Sequence, residues 1–286
     1  RLSPHTAYGT LSLREIVQPH RRRWAEARAA APHSQWARSL KSFESRLHWH
    51  CHFIQKLEDE PAIEYRNMHR GYDGLRDETH TDPARLAAWI EGRTGLPFVD
   101  ACMRQLRAEG WINFRMRAML VAVSSYHLWM HWREPARALA RLFTDYEPGI
   151  HYCQFQMQSG TTGINTLRIY NPVKQSRDQD PAGDYIRHWI PALAGVPAEW
   201  VHEPWRMTAG LQERYGVRLG RDYPEPLVDH EQAAREARER IKAHRASRDL
   251  RRESERVRRK HASRTPSPER PRRRRRVSPG QGELDL

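Results

Sequence analysis

Apolar residues recur in this chain at three- and four-residue spacing almost throughout, and no segment shows the period-two alternation that a half-buried strand needs. That pattern admits one fold class for the body: all-α. Helix start and stop signals agree. Ser12 and Glu15 form an S-x-x-E capping box ahead of Ile16 and Val17. Trp36, Leu40, Phe43, Leu47, Ile54 and Leu57 lie at helical spacing after it. Asp82-Pro83 reads as N-cap and first turn, with Gly92 as the stop beyond Trp89 and Ile90, and Pro97 opens a helix through Val99, Met103 and Leu106. The longest apolar stretch, Trp111 to Trp132, reads as a further helix despite Arg115 and Arg117. Asp180-Pro181 opens another that carries Tyr185, Ile186, Trp189 and Ile190.

Two regions break this rhythm and set the domain organisation. Residues 145–176 are polar, aromatic and glycine-bearing, too irregular for one helix, and a loop of that length inside a domain is usually functional. From Asp229 the pattern becomes charged and alanine-rich: a solvated helix that decays into a tail disordered by composition. The reading is therefore a helical domain over 1–228 and a basic tail over 229–286.

The formal net charge is +14, from 49 Lys+Arg against 35 Asp+Glu. Of this, roughly +9 falls from Asp229 onward and about +5 on the body. Such a balance points to a polyanionic partner, nucleic acid before membrane. No apolar run approaches the ~18 residues of a membrane span. Cys51, Cys102 and Cys153 are an odd set without a C-x-x-C pair, which argues against a disulfide framework and a Cys-ligated metal. A reducing, cytoplasmic setting (the nucleoid, in a bacterium) fits, as does a monomer. The chain starts at Arg1 rather than Met, so a preceding segment is expected.

Arg115 and Arg117 stand two apart in an apolar helix and point to different faces. Both can snorkel to solvent, or one can meet a buried carboxylate, for which Asp145 and Glu147 are the candidates. His48 and His52 share a helical face, but zinc needs further ligands and none has matching spacing. No G-x-G-x-x-G, Walker loop or G-x-S-x-G occurs, which excludes the usual dinucleotide, nucleotide-hydrolysing and α/β-hydrolase signatures.

The stretch RLSPHTAYGTLSLREIV, the block AAWIEGRTGLPFVDACMRQLRAEGWINFRMRAM, and then LRIYNPVKQS, YIRHWIPAL, VPAEWVHEPW and YPEPLVDH resemble, in order, the helical half of the photolyase/cryptochrome family. The resemblance covers about residues 1–235. It implies an FAD held in a helical domain, behind an N-terminal α/β domain that carries any antenna chromophore and is absent from this chain.

Carried over residue by residue, it implies that Arg1, Leu2 and Ser3 end the motif that holds the FAD phosphates. Phe43 stands where the family usually has a tryptophan beside the flavin. Arg117 and Asp145 match the pair along the isoalloxazine, Glu147 replaces an aspartate that reaches ring or ribose, and His151 falls where photolyases place an asparagine facing flavin N5. An imidazole there would make flavin redox chemistry depend on pH near 6.5. Trp49 matches the tryptophan that packs on a flipped pyrimidine dimer, and Arg115 and Gln175 match positions near DNA.

Departures accompany these matches. Arg46 replaces the glutamate that binds the dimer, Phe114 an asparagine and Ala118 a methionine. In the electron-transfer chain Trp132 keeps the middle position while Phe155 takes the proximal one, leaving Trp111 and Trp129 as substitutes or as core. The expectation is a light-driven, FAD-dependent enzyme that repairs pyrimidine photoproducts in DNA, with Trp132, Trp111 and His151 as the catalytic candidates. A cryptochrome-like photoreceptor without repair activity is the alternative, and a helical nucleic-acid-binding protein that has lost its flavin is a third.

Overall fold

The computed structural model describes residues 1–247 and 249–262. Among these, fourteen α-helices follow one another without a strand: α1 (Ser3–Ala7), α2 (Leu13–Ala30), α3 (Gln35–Asp59), α4 (Pro83–Glu91), α5 (Pro97–Glu109), α6 (Phe114–Ala122), α7 (Arg133–Ala140), α8 (Pro148–Ser159), α9 (Pro172–Gln179), α10 (Asp184–Trp189), α11 (Ala198–Val201), α12 (Ala209–Arg214), α13 (His230–Ala246) and α14 (Arg251–His261). The chain is all-α, as its periodicity requires. The capping box at Ser12 and Glu15 forms in both directions, and the Asp82 carboxylate accepts the Ala84 and Arg85 amides at the start of α4.

Helix α5 is the centre of the core: Phe98, Val99, Ala101, Cys102, Met103 and Leu106 are buried, as are Trp89, Ile112, Leu120 and Trp132 around them. The T-G-x-P-x-V-D segment that opens α5 is itself a packing device. Asp100, fully buried, accepts hydrogen bonds from the Thr94 amide (2.8 Å) and hydroxyl (2.6 Å), the Gly95 amide (3.0 Å) and the Tyr223 hydroxyl (2.5 Å). Gly95 sits at φ +76°, and a Cβ there would lie 2.3 Å from the Glu225 carbonyl oxygen. Only glycine satisfies both demands.

Three sequence expectations are corrected. Residues 111–132 are not one helix. α6 ends at Ala122, a π-turn spans Val123–His127, and Trp129 takes the left-handed φ of 52°. Ser124 lies at the break, turning its hydroxyl back onto the Val121 carbonyl (3.0 Å) in competition with the regular ladder. About half of the supposed 145–176 loop is helix. α8 begins at Pro148 and stops at Gly160, and it is buried on nearly all sides, so no amphipathic stripe announces it. The helix expected from Asp180-Pro181 starts at Asp184, with the Asp180 carboxylate accepting the Tyr185 and Ile186 amides from below.

The segment after Asp229 is not solvated through its described length. Ala237 and Ile241 of α13 pack on Ala122 and Tyr126, and Val257 of α14 is fully buried. Burial of Ile241 and of Val257 contributes about 1.5–3 kcal/mol each. Glu60 draws α14 onto the body through Arg256 (3.4 Å), Lys260 (3.0 Å) and His261 (2.7 Å). The arginine run 272–276 lies outside the described residues.

Candidate functional site

Helices α6 and α8, with α7 and the 143–147 turn, enclose a cleft of about 570 Å³ including its open mouth. Helix α8 can line it because α8 lies directly against α3. A Cβ on Gly149 would stand 2.6 Å from the Ile54 Cα, so this approach too requires glycine. The walls are apolar: Val121 from α6, Leu139 from α7, Phe143, and Ile150 and Phe155 from α8. Phe114, 58% exposed, stands at the mouth.

Polar groups gather at one side. Arg117 Nη2 lies 2.8 Å from Asp145 Oδ2, and the Asp145 side chain is only 3% exposed. The Arg117 Nε donates to the Ile112 carbonyl (2.8 Å), and the guanidinium covers the Phe143 ring at 4.1 Å. Glu147 caps α8, its carboxylate accepting the Gly149 amide at 3.3 Å. Of the two readings open for the Arg115/Arg117 pair, the structure divides them: Arg117 pairs with Asp145, while Arg115 is exposed to solvent.

His151 also lines the cleft. Its Nε2 is 2.8 Å from the Ala136 carbonyl, which fixes Nε2 as the protonated nitrogen. Burial lowers its pKa from the ordinary 6.5 to about 4, so the imidazole is neutral throughout the physiological range. The expected switch near pH 6.5 is therefore displaced to acid.

The other sequence candidates divide between this cleft and the surface. Trp111 ties the N-terminus to the cleft: the Arg1 guanidinium lies 4.1 Å over its ring, its indole N–H donates to the Ser3 hydroxyl (3.3 Å), and Arg117 covers it at 5.8 Å. Leu2 is exposed beside them. Phe43 packs edge-on to His20 between α2 and α3 and does not line the cleft. Arg46 and Trp49 are exposed on α3, the latter stacked on Phe53 at 5.5 Å. Gln175 sits on α9, which packs against α5 away from the cleft lining. Trp132 is fully buried, its indole N–H donating to Asn67 Oδ1 (2.8 Å).

Besides the apolar walls, three polar lining residues were not anticipated from the sequence: Tyr146, Gln154 and Gln158. Their signal was faint: a tyrosine inside D-Y-E, and glutamines recurring at i, i+4 in a segment read as loop.

The donor set tests what could fill the cleft. Asp145 Oδ1, Gln154 Oε1 and Gln158 Oε1 are buried acceptors without a partner, and all three residues line it. Buried acceptors left unmet are costly, so the occupant must bring hydrogen-bond donors to an otherwise apolar slot. A flat heteroaromatic ring with an imide N–H and a hydroxylated chain meets that description, and a flavin has both.

A helical domain folded around a slot for a planar, polar-edged cofactor is the class of protein these features define. Residues 43–243 match the FAD binding domain of DNA photolyase, and the chain belongs to that family. It is 35% identical over 239 residues to the deoxyribodipyrimidine photo-lyase of Alkalihalophilus pseudofirmus, covering 83% of this chain and 47% of that protein. It is 39% identical to the cryptochrome DASH of Gloeobacter violaceus over 57% of this chain and 33% of that one. Its fold is similar to a class III photolyase from Agrobacterium tumefaciens, with a TM-score of 0.75 and 27% identity over 86% of this chain and 49% of the other. The chain spans about half the length of the curated relatives it matches.

Proposed function

We propose that this domain serves a blue-light-driven enzyme that repairs pyrimidine photoproducts in DNA. The observation that carries the reading is the buried Arg117–Asp145 pair facing a slot whose remaining acceptors lack partners. Arg117, Asp145 and His151 would hold the flavin edge, Glu147 its ring or ribose, and Ser3 with Arg1 its phosphates. Bound FAD supplies light-driven one-electron transfer. The chain's own part is to bind, to exclude water with Val121, Leu139 and Phe155, and to present a substrate.

For the substrate, Phe114 at the mouth and Trp49 on α3 offer exposed aromatic faces on which a flipped base can stack, and extrusion costs least where pairing is already damaged. Arg46 and Arg115, both exposed, supply charge for the phosphates. An antenna chromophore would belong to an upstream domain, and the protein would act as a monomer.

A second reading, a cryptochrome-like photoreceptor, is favoured by Arg46, Phe114 and Ala118 standing where repair enzymes carry polar or thioether groups. The experiment that separates the two is reversal of pyrimidine dimers in ultraviolet-treated DNA. The full-length protein under blue light should restore the undamaged bases and should not do so in the dark. Flavin photochemistry without dimer loss would favour the photoreceptor.

A further inference from the structure

A second cleft opens where α13 meets the π-turn, with a volume of about 640 Å³ including its open mouth. It shares no lining residue with the cleft beside Arg117 and Asp145. Ala233 and Ala237 of α13 give it an apolar wall, and around them stand His127, Trp129, Arg85 and Arg240. Two features of the turn are costly. Trp129 takes a left-handed φ of 52°, a conformation that a residue with a bulky side chain rarely adopts, and such strain gathers at ligand sites. His127 is 3% exposed, and no hydrogen bond of ordinary geometry reaches either of its ring nitrogens. Burial lowers its pKa to about 4, so the imidazole is neutral and offers one N–H and one lone pair. A buried donor and acceptor left unmet cost free energy. An occupant that brings polar atoms removes that cost.

The charge around the cleft selects an anion. Arg85 donates to the Leu128 carbonyl (3.3 Å) and lies 3.5 Å from Asp82, and Arg240 lies 3.3 Å from Glu236. A guanidinium carries five N–H groups, so both exposed arginines keep donors for a ligand. Arg76, buried on the other side of the turn, adds a cation 4.6 Å from the Trp129 ring, and its Nη2 has no partner. The acids of the lining are already engaged. Asp229 accepts the Glu231 and Gln232 amides, each at 2.9 Å, and Glu236 accepts Arg240 and the Gln232 side-chain amide (2.9 Å). Arg240 covers the half-buried Trp129 ring at 5.0 Å from an exposed side chain. It can swing aside and close again over a flat ring laid on the indole.

We propose that this second cleft binds a small planar anion, an aromatic ring that carries a phosphate or a carboxylate. A nucleoside monophosphate and an aromatic acid share that chemistry. The ring stacks on Trp129, its polar edge meets the His127 imidazole, and its charged group is held by Arg85 and Arg240. Trp129 and His127 belong to the turn and its exit, and Arg240 to α13, so the ligand ties the two elements together. The proposal does not depend on what fills the cleft beside Arg117 and Asp145.

The test is calorimetric titration of the full-length protein, freed of unbound flavin, with AMP and 4-aminobenzoate as the two aromatic anions. Adenosine supplies a ring without charge, and ribose 5-phosphate a charge without a ring. At least one aromatic anion should bind at least about tenfold more tightly than either control. A preference for AMP identifies a nucleotide, and a preference for 4-aminobenzoate an aromatic acid. Trp129→Gly removes the ring and suits the left-handed backbone, and Arg240→Gln changes an exposed side chain. Each should weaken binding by at least about tenfold at an unchanged helix content by circular dichroism. No binding of either aromatic anion overturns the proposal, as does binding no tighter than that of ribose 5-phosphate or adenosine. Binding that both variants leave intact lies elsewhere on the protein and overturns it as well.

Discussion

Arg117 and Asp145 meet at 2.8 Å through one carboxylate oxygen, and the other oxygen of Asp145 is buried without a partner. The pair is thus complete as a charge pair and incomplete as a hydrogen-bonding site. In Asp145→Ala, the partly buried Arg117 guanidinium loses its counter-ion. Breaking such a pair costs about 3–5 kcal/mol where it is buried, and the remaining exposure of Arg117 (25%) places the expected loss toward the lower figure. Urea denaturation should show that destabilisation and the purified variant should carry no flavin. Undiminished flavin content would remove Asp145 from the site.

Buried imidazoles make a second prediction. Burial lowers His127, His131 and His151 from 6.5 to about 4. Each binds a proton more readily in the unfolded chain, so the stability it confers is complete above about pH 6.5 and is lost as the pH falls toward 4. The slope is about 1.4 kcal/mol per pH unit for each imidazole that titrates in this way. Denaturation midpoints measured across this range should fall steeply for the parent protein and less steeply for His151→Asn. Parallel curves would show that His151 is not held neutral by the fold.

The all-α class and the helix starts at Ser12, Asp82 and Pro97 were legible because capping and periodicity are local. α8 was not, because a helix buried all round has no polar face to mark its period. The break after Ala122 was hidden for a related reason: Val123 to Leu128 is apolar enough to extend a helix, and only the Ser124 hydroxyl and the packing of α13 stop it. At the site, Arg117, Asp145, Glu147 and His151 come together as their family resemblance implies. Phe43 does not join them, since His20 of α2 holds it elsewhere. Tyr146 carried no motif, and its place in the cleft wall beside His151 exists only in three dimensions.

The basic tail makes a third prediction. In α13, Arg235 and Arg240 face Glu231 and Glu236 of the same helix, and Arg238 donates to the Ala234 carbonyl. These cations are less free to meet phosphates than the sequence suggested. Removal of residues 229–286 would also strip Ile241 and Val257 from the core, so the informative truncation is 263–286, which carries the run Arg272–Arg276. It should weaken binding to damaged and undamaged DNA by the same factor. The slope of log K against log salt should fall by about 0.9 for each phosphate the tail had neutralised. Weakening confined to damaged DNA would place the tail in lesion recognition.

The central claim is that the cleft beside Arg117 and Asp145 holds a flavin that responds to light. It is tested most directly by the visible absorption spectrum of the purified full-length protein, before and during blue illumination. The expected result is one flavin per chain, with bands that bleach in the presence of a thiol and return in the dark under air. A folded protein that shows no flavin absorption, even after incubation with FAD, would contradict the account.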